Sequence, residues 1–214
     1  SDLNRDLINL YHAVRDFPEE IYGELNKIPR ERETYNKIRE AIISSDNLFE
    51  RAVFTLYLNR NCFNGLYRTN KSGHFNVPFA AAGRGGYPSL SDFISASNQL
   101  KMANIICSDF EIVIKERLNK EDFVYLDPPY IKNEGRIFNE YVKGHFNKGD
   151  MDRLSDVLNL INSRGAYFLL SFIDDEAVYS LAEQWGAERY MVQKNISGFA
   201  ASRRKSSEVI IKNW

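Results

Sequence analysis

The chain has 214 residues, enough for one sizeable domain or a domain with a large insertion, and its 43% hydrophobic and 27% charged content is that of an ordinary globular protein. A formal net charge of −1 excludes a uniformly basic nucleic-acid binder, so any contact with nucleic acid must come from local clusters of cations. No apolar run reaches the ~18 residues of a membrane span and no signal peptide is visible, so no membrane contact and a cytoplasmic location are expected.

The chain opens at Ser1 without a methionine and falls at once into folded-looking sequence, which reads as a chain whose front end is absent. Residues 4–16 place Leu7, Leu10, Tyr11 and Val14 at helical spacing, with Asn4 as N-cap and Asp6 in the first turn. Asp2 and Leu3 lie just before that cap. In a doubly wound sheet an acid leaving a strand and entering a helix is placed to hold ribose hydroxyls; the plainer alternative is a solvated acid at a helix start. Residues 18–28 and 31–43 read as two further helices, with Pro18 at a first helical position and Tyr35, Ile38 and Ile42 as a core stripe. A fourth helix spans about 47–60, burying Phe49, Val53, Leu56 and Tyr57.

The composition then changes. From Ala52 to Ser91 there is no Asp or Glu, while Arg60, Arg68, Lys71 and Arg84 occur among Asn, Gly, Ser and aromatic residues. Phosphate affinity needs cations without competing acids, and base reading needs Arg, Asn and apolar groups on a turn that can enter a groove. Asn64-Gly65 and Lys71-Ser72-Gly73 are turn signals and suggest a short projecting hairpin. The alternative is a solvated loop with chance charge segregation.

Residues 89–101 form a helix capped by Ser89 or Ser91, Ala103–Cys107 a short strand, and 110–118 a helix. Phe123-Val124-Tyr125-Leu126 reads as a buried strand in parallel with 103–107, which sets Asp109 and Asp127 at carboxyl ends of strands, where open α/β sheets bind ligands. Pro128 and Pro129 donate no ladder hydrogen bond, so the strand stops at Asp127. Residues 131–148 read as a mobile loop, 150–163 as an amphipathic helix broken by Gly165, Tyr167–Ser171 as a buried strand, and 174–184 as a helix. Residues 188–192 and 208–213 read as two strands, an antiparallel pair. Between them Lys194, Arg203, Arg204 and Lys205 make a second acid-free basic loop, either a phosphate contact or a solvated connection. Cys62 and Cys107 read as buried thiols in a reducing compartment, and with His12, His74 and His145 they make no metal-ligand spacing.

The tetrapeptide Asp127-Pro128-Pro129-Tyr130 resembles the catalytic loop of amino-methyltransferases that act on adenine N6 in DNA. The residue types suit that chemistry. An exocyclic amine conjugated to its ring is a poor nucleophile, and acceptors on its two N–H groups, the Asp127 carboxylate and the Pro128 carbonyl, favour a pyramidal nitrogen that can attack a methyl sulfonium. Tyr130 would stack on the flipped base. Four further blocks extend the likeness: Asp2-Leu3-Asn4-Arg5-Asp6-Leu7-Ile8-Asn9-Leu10-Tyr11, Leu58-Asn59-Arg60, Phe63-Asn64-Gly65-Leu66-Tyr67-Arg68, and Gly73-His74-Phe75-Asn76-Val77-Pro78-Phe79. With these the chain resembles, over nearly its whole length, the DNA adenine methyltransferase (Dam) family of orphan and restriction-associated GATC methylases.

The resemblance implies an α/β fold with a Rossmann-like methyltransferase sheet, here lacking its N-terminal strand, over 1–19 and 89–214, and a mainly helical target-recognition insertion over 20–88. It implies S-adenosylmethionine as donor and S-adenosylhomocysteine as product, double-stranded DNA as partner, no metal, and a bacterial or phage source; the oligomeric state stays open. Asp2 matches the ribose-binding acid and Leu3 the apolar residue against the donor adenine. Asp109 and Phe110 match the segment beside that adenine, and Asp127 serves both the methionine amino group and the target N6. Arg60, Asn64, Leu66, Arg68, Asn76, Pro78 and Arg84 fall in the DNA-binding part, with Arg68 matching an arginine that reads guanine.

Two departures stand out. Family members carry, ahead of the Asp2 region, a strand ending in a Phe-x-Gly-x-Gly turn, and they often have Gly-Arg directly after Phe79, where this chain has Ala80-Ala81-Ala82-Gly83-Arg84. The first supports a second reading, a catalytically inactive DNA-binding remnant without the donor-binding segment; the second leaves the recognition sequence open. An RNA or protein-glutamine methyltransferase would share the proline loop but would not explain the Asn64–Arg68 and Asn76–Phe79 blocks.

Overall fold

The structure, a computed structural model, describes residues 1–70, 72–81, 85–129, 146–193 and 205–214. The described chain forms two compact units, Ser1–Asp109 and the residues from Phe110 onward.

The first unit is helical: α1 (Arg5–Asp16), α2 (Pro18–Lys27), α3 (Arg32–Ser44), α4 (Leu48–Asn61) and α5 (Leu90–Leu100). Local chemistry sets the boundaries. Asn4 Oδ1 accepts the Leu7 amide at 3.1 Å, Asn47 caps α4 through the Glu50 amide, Pro18 opens α2, and Ser89 with Asp92 closes a capping box on α5. α1 packs on α4 and α5, and α4 on α3, around fully buried Ile21, Leu25, Tyr35, Ala52 and Tyr57. The buried tyrosines keep their hydroxyls paired. Tyr35 donates to the Val77 carbonyl at 2.8 Å and Tyr57 to the Pro29 carbonyl at 2.7 Å. The Tyr35 bond ties the long loop after α4 to the helical core.

The expected strand over 103–107 is absent as a ladder. One parallel bridge joins Cys107 to Asp2, with the Asp2 amide donating to the Ile106 carbonyl at 3.2 Å. Directly after Leu3 the chain enters the Asn4 cap of α1. Cys62 is buried as expected, but Cys107, at that bridge, is exposed, which corrects the expectation of a buried thiol.

The second unit is a mixed α/β layer: α6 (Phe110–Arg117), β1 (Phe123–Leu126), α7 (Lys148–Ser163), β2 (Tyr167–Ile173), α8 (Tyr179–Trp185, entered through a short 3-10 turn), β3 (Glu188–Gln193) and β4 (Lys205–Lys212). The four strands lie in the order β1-β2-β4-β3, with β1 and β2 parallel and the other two pairs antiparallel. The expected antiparallel pair of the C-terminal strands is therefore present, and the parallel unit is β1-α7-β2. Gly165, at φ 69°, ends α7 in a Schellman arrangement: its amide donates to the Asn162 carbonyl and the Ala166 amide to that of Ile161.

The core lies on one face of the sheet. Phe168, Leu170 and Phe172 of β2 and Val209 and Ile211 of β4 pack with Leu154, Val157, Leu158 and Ile161 of α7. β1 follows the same alternation, so the reading of a strand buried throughout is corrected. Val124 and Leu126 face the core, while Phe123 and Tyr125 are 60% and 59% exposed on the other face. An unbroken apolar run of four residues does not reveal that only one of its faces is covered by the helices of this unit.

Candidate functional site

Asp127 is the first residue beyond β1, at the carboxyl end of the parallel pair, and it is exposed. The register pairs Leu126 with Leu170, so Ser171 is the next residue across from Asp127 on β2. The Ser171 hydroxyl donates to Asp127 Oδ1 at 3.1 Å, and the Tyr125 hydroxyl lies 3.1 Å from Ser171 Oγ. All three side chains project from the face of the sheet opposite the core, as the two-residue period requires. Pro128 is half-buried and Pro129 exposed. Ser171 carried no assignment in the sequence; the available signal was its place at the end of a strand parallel to the one that delivers Asp127.

In the first unit the Asp2–Cys107 bridge brings Asp2 and Leu3 beside the segment that leads to Asp109. Asp2 Oδ1 accepts the Asn4 amide at 2.6 Å, a local turn that fixes the carboxylate. Leu3 is 52% exposed, a large apolar side chain presented next to a fixed acid. Phe110, at the start of α6, is packed against the core of the second unit, with the Arg153 guanidinium 5.0 Å from its ring centre.

The segment from Cys62 to Phe79 folds back on itself through two isolated antiparallel bridges, and its described residues form no strand, so the expected hairpin is present only as these bridges. Asn64 (φ 53°) and Gly65 (φ 62°) make a tight turn closed by the Leu66 amide on the Phe63 carbonyl at 3.2 Å. Both positions need the left-handed region, which Asn and Gly enter most easily. Beyond it, Thr69 and Phe75 form an antiparallel bridge, and the Asn70 amide donates to the His74 carbonyl at 2.8 Å. The ends of the loop are held by the Cys62–Phe79 bridge and by the Phe63 amide on the Pro78 carbonyl.

Arg68 and Asn76 are brought together on this loop. Arg68 Nε donates to Asn76 Oδ1 at 2.7 Å and Nη2 to the Asn76 carbonyl at 3.2 Å. Among the described residues these bonds engage two of the five guanidinium N–H groups, on the Nε–Nη2 edge. Asn64 and Pro78 are exposed and Leu66 is half-buried. Arg60 is exposed, with Nη2 donating to the Gly86 carbonyl at 2.6 Å.

Asn61, fully buried at the end of α4, anchors the base of the loop. Its Oδ1 accepts Arg30 Nε at 2.8 Å, its Nδ2 donates to the Tyr57 carbonyl and the Tyr87 hydroxyl, and its carbonyl accepts the Ala80 amide. Sequence reasoning passed over both Asn61 and Arg30. Burial pushes the Cys62 thiol up to about 11, so it stays protonated, with Sγ within 3.1 Å of the Asn59 carbonyl and 3.2 Å of the Leu66 carbonyl.

Tyr130, Arg84 and Lys71, residues 131–145 of the expected mobile loop, and Lys194, Arg203 and Arg204 lie outside the described residues. Among the described residues no group of three or more His, Cys, Asp or Glu side chains is arranged for a metal ion, and no helix is long and apolar enough to cross a membrane.

Residues 1–197 match the family described as D12 class N6 adenine-specific DNA methyltransferase. The chain is 32% identical to the type II methyltransferase M.MjaIII of Methanocaldococcus jannaschii, over all of this chain and 79% of that protein. It is also 32% identical to the retron Ec67 DNA adenine methylase of Escherichia coli, over 99% of this chain and 73% of that protein. With the DNA adenine methylase of Vibrio cholerae it shares 31% identity, over 98% of this chain and 77% of the relative.

Proposed function

Because this chain belongs to the D12 class of N6 adenine-specific DNA methyltransferases, we propose that it methylates adenine N6 within GATC or a related duplex site, using S-adenosylmethionine and the Asp127 loop. The observation that carries the reading is the exposed Asp127 carboxylate, delivered at the carboxyl end of β1 with one oxygen held by Ser171. The relatives named above are methyltransferases and methylases, which gives the inactive-remnant reading no support.

Bound S-adenosylmethionine supplies an electrophilic methyl on sulfur and leaves as S-adenosylhomocysteine. The Asp127 carboxylate and the Pro128 carbonyl accept the two N6 hydrogens and draw the nitrogen toward a pyramidal geometry. With the donor bound, its methyl would pass from sulfur to the N6 lone pair, the C–S electrons staying on sulfur, while Asp127 takes the displaced N6 proton and passes it to solvent. Tyr130 is assigned the stacking of the flipped base.

For the donor, Asp2 is assigned to the ribose hydroxyls, Leu3, Asp109 and Phe110 to its adenine, and Asp127 to its amino group. The fixed acid next to an exposed leucine fits a ribose bearing an apolar ring. Phe110 would offer the donor only the part of its ring that Arg153 leaves uncovered. For the duplex, Arg68 is assigned to guanine through the edge that Asn76 leaves available, and Arg60, Asn64, Leu66, Asn76, Pro78 and Arg84 to the remaining contacts. In these terms residues 1–19 and 89–214 form a Rossmann-like catalytic part and 20–88 the recognition insertion.

The test is methyl transfer from labelled S-adenosylmethionine to duplexes with and without GATC, followed by nucleoside chromatography. Label in N6-methyladenosine from GATC duplexes alone supports the reading. Label at another sequence overturns the assigned site, and label on cytosine overturns the chemistry.

A further inference from the structure

The hydrogen bonds around Asp127 have a direction. An ionised carboxylate only accepts, and a serine hydroxyl has one proton. With that proton on Asp127 Oδ1, Ser171 Oγ accepts from Tyr125, so the chain runs from the Tyr125 hydroxyl through Ser171 to Asp127. The parallel register builds it: Tyr125 pairs with Leu169 and Leu126 with Leu170, so Tyr125, Asp127 and Ser171 share one face at the strand ends. Asp127 is exposed and lies where the ladder stops, so neither packing nor the ladder selects its rotamer.

We propose that Ser171 is a positioning residue for Asp127, and that Tyr125 orients Ser171 in turn. The hydroxyl occupies Oδ1 and holds the carboxylate in one rotamer, which directs Oδ2 toward the target amine. Without it the side chain distributes over its staggered wells, and only a fraction of the molecules present the acceptor at the reacting nitrogen. This inference rests on the assignment of Asp127 as the acceptor for N6.

The experiment measures kcat, KM for the duplex and duplex affinity for Ser171→Ala, Ser171→Thr, Tyr125→Phe and, in parallel, Asp127→Ala. Ser171→Ala is expected to lower kcat by about tenfold with KM and duplex affinity unchanged, the pattern of an interaction that matters in the transition state. Ser171→Thr, which keeps the hydroxyl on a residue suited to a strand, is expected to restore most of the rate, and Tyr125→Phe to cost about threefold. An inactive Asp127→Ala with a fully active Ser171→Ala overturns the positioning role and leaves the Asp127 assignment standing. An active Asp127→Ala overturns both. A slow Ser171→Ala that threonine does not rescue also overturns the role, because the loss then belongs to packing.

Discussion

Asn61→Ala tests how the Cys62–Phe79 loop is held to the helical unit. The side chain is fully buried and makes three hydrogen bonds, to Arg30 Nε at 2.8 Å, the Tyr57 carbonyl at 2.8 Å and the Tyr87 hydroxyl at 2.9 Å. A bond to a charged group contributes about 1.5–3 kcal/mol and a neutral one about 1 kcal/mol. Arg30 also donates to the Gly85 carbonyl and stacks 4.5 Å from the Tyr87 ring centre, so it stays in place and water recovers part of what it loses. The Tyr57 carbonyl lies within α4 and depends less on the amide. The net cost should be about 2–3 kcal/mol, or roughly 30- to 140-fold in the folding equilibrium. Urea unfolding should be followed by far-ultraviolet circular dichroism, since Trp185 and Trp214 both belong to the other unit and would miss the change. The midpoint should fall with an unchanged slope. A loss below about 0.5 kcal/mol would show that water replaces the amide and would refute the anchoring role.

Asn76→Ala should release the Arg68 guanidinium and reduce discrimination at one base pair by about 10- to 100-fold, with little change in binding to unrelated duplexes; competition binding against single-base variants checks this, and an equal loss on every sequence would contradict it. Lys115, and after it Arg153, hold the Glu111 carboxyl below its ordinary value. Its folded-state pKa is depressed, so its contribution is present above the usual carboxylate pKa of about 4.3 and is lost as pH falls through the folded value. Glu111→Gln should flatten the stability profile in that acid window and leave its shape near neutrality unchanged. A thiol reagent should modify exposed Cys107 at once and buried Cys62, whose thiol burial pushes up to about 11, only on unfolding. Equal rates for the two would contradict the buried environment of Cys62.

Several helices were legible because they carry their own punctuation. Asn4, Asn47 and Ser89 cap, Pro18 starts and Gly165 stops, all through interactions within a few residues. The Asp127 loop was legible for the same reason, since two prolines end a strand whatever surrounds it. Features that depend on partners remote in sequence were not. Ala103–Cys107 has strand-like residues, but among the described residues it pairs only through the bridge from Cys107 to Asp2. The one-sided burial of β1 and the exposure of Cys107 depend on which layers cover them. Ser171 meets Asp127 only through the β1–β2 register, 44 positions apart, and Arg68 meets Asn76 only once the turn at Asn70–His74 has closed. Composition marked the loop as a cation-bearing, acid-free segment without indicating that its arginine is already bound to its own asparagine.

The most direct measurement is the rate of label transfer from S-adenosylmethionine to adenine N6 in a GATC duplex, by the chain as it stands and by Asp127→Ala, with duplex binding measured on both. Transfer by the unaltered chain is expected, with a loss of about a thousandfold or more in the variant and duplex affinity nearly unchanged between them. Transfer by Asp127→Ala at a rate within about threefold of the parent would contradict it, because the acceptor on which the proposed chemistry depends would be dispensable.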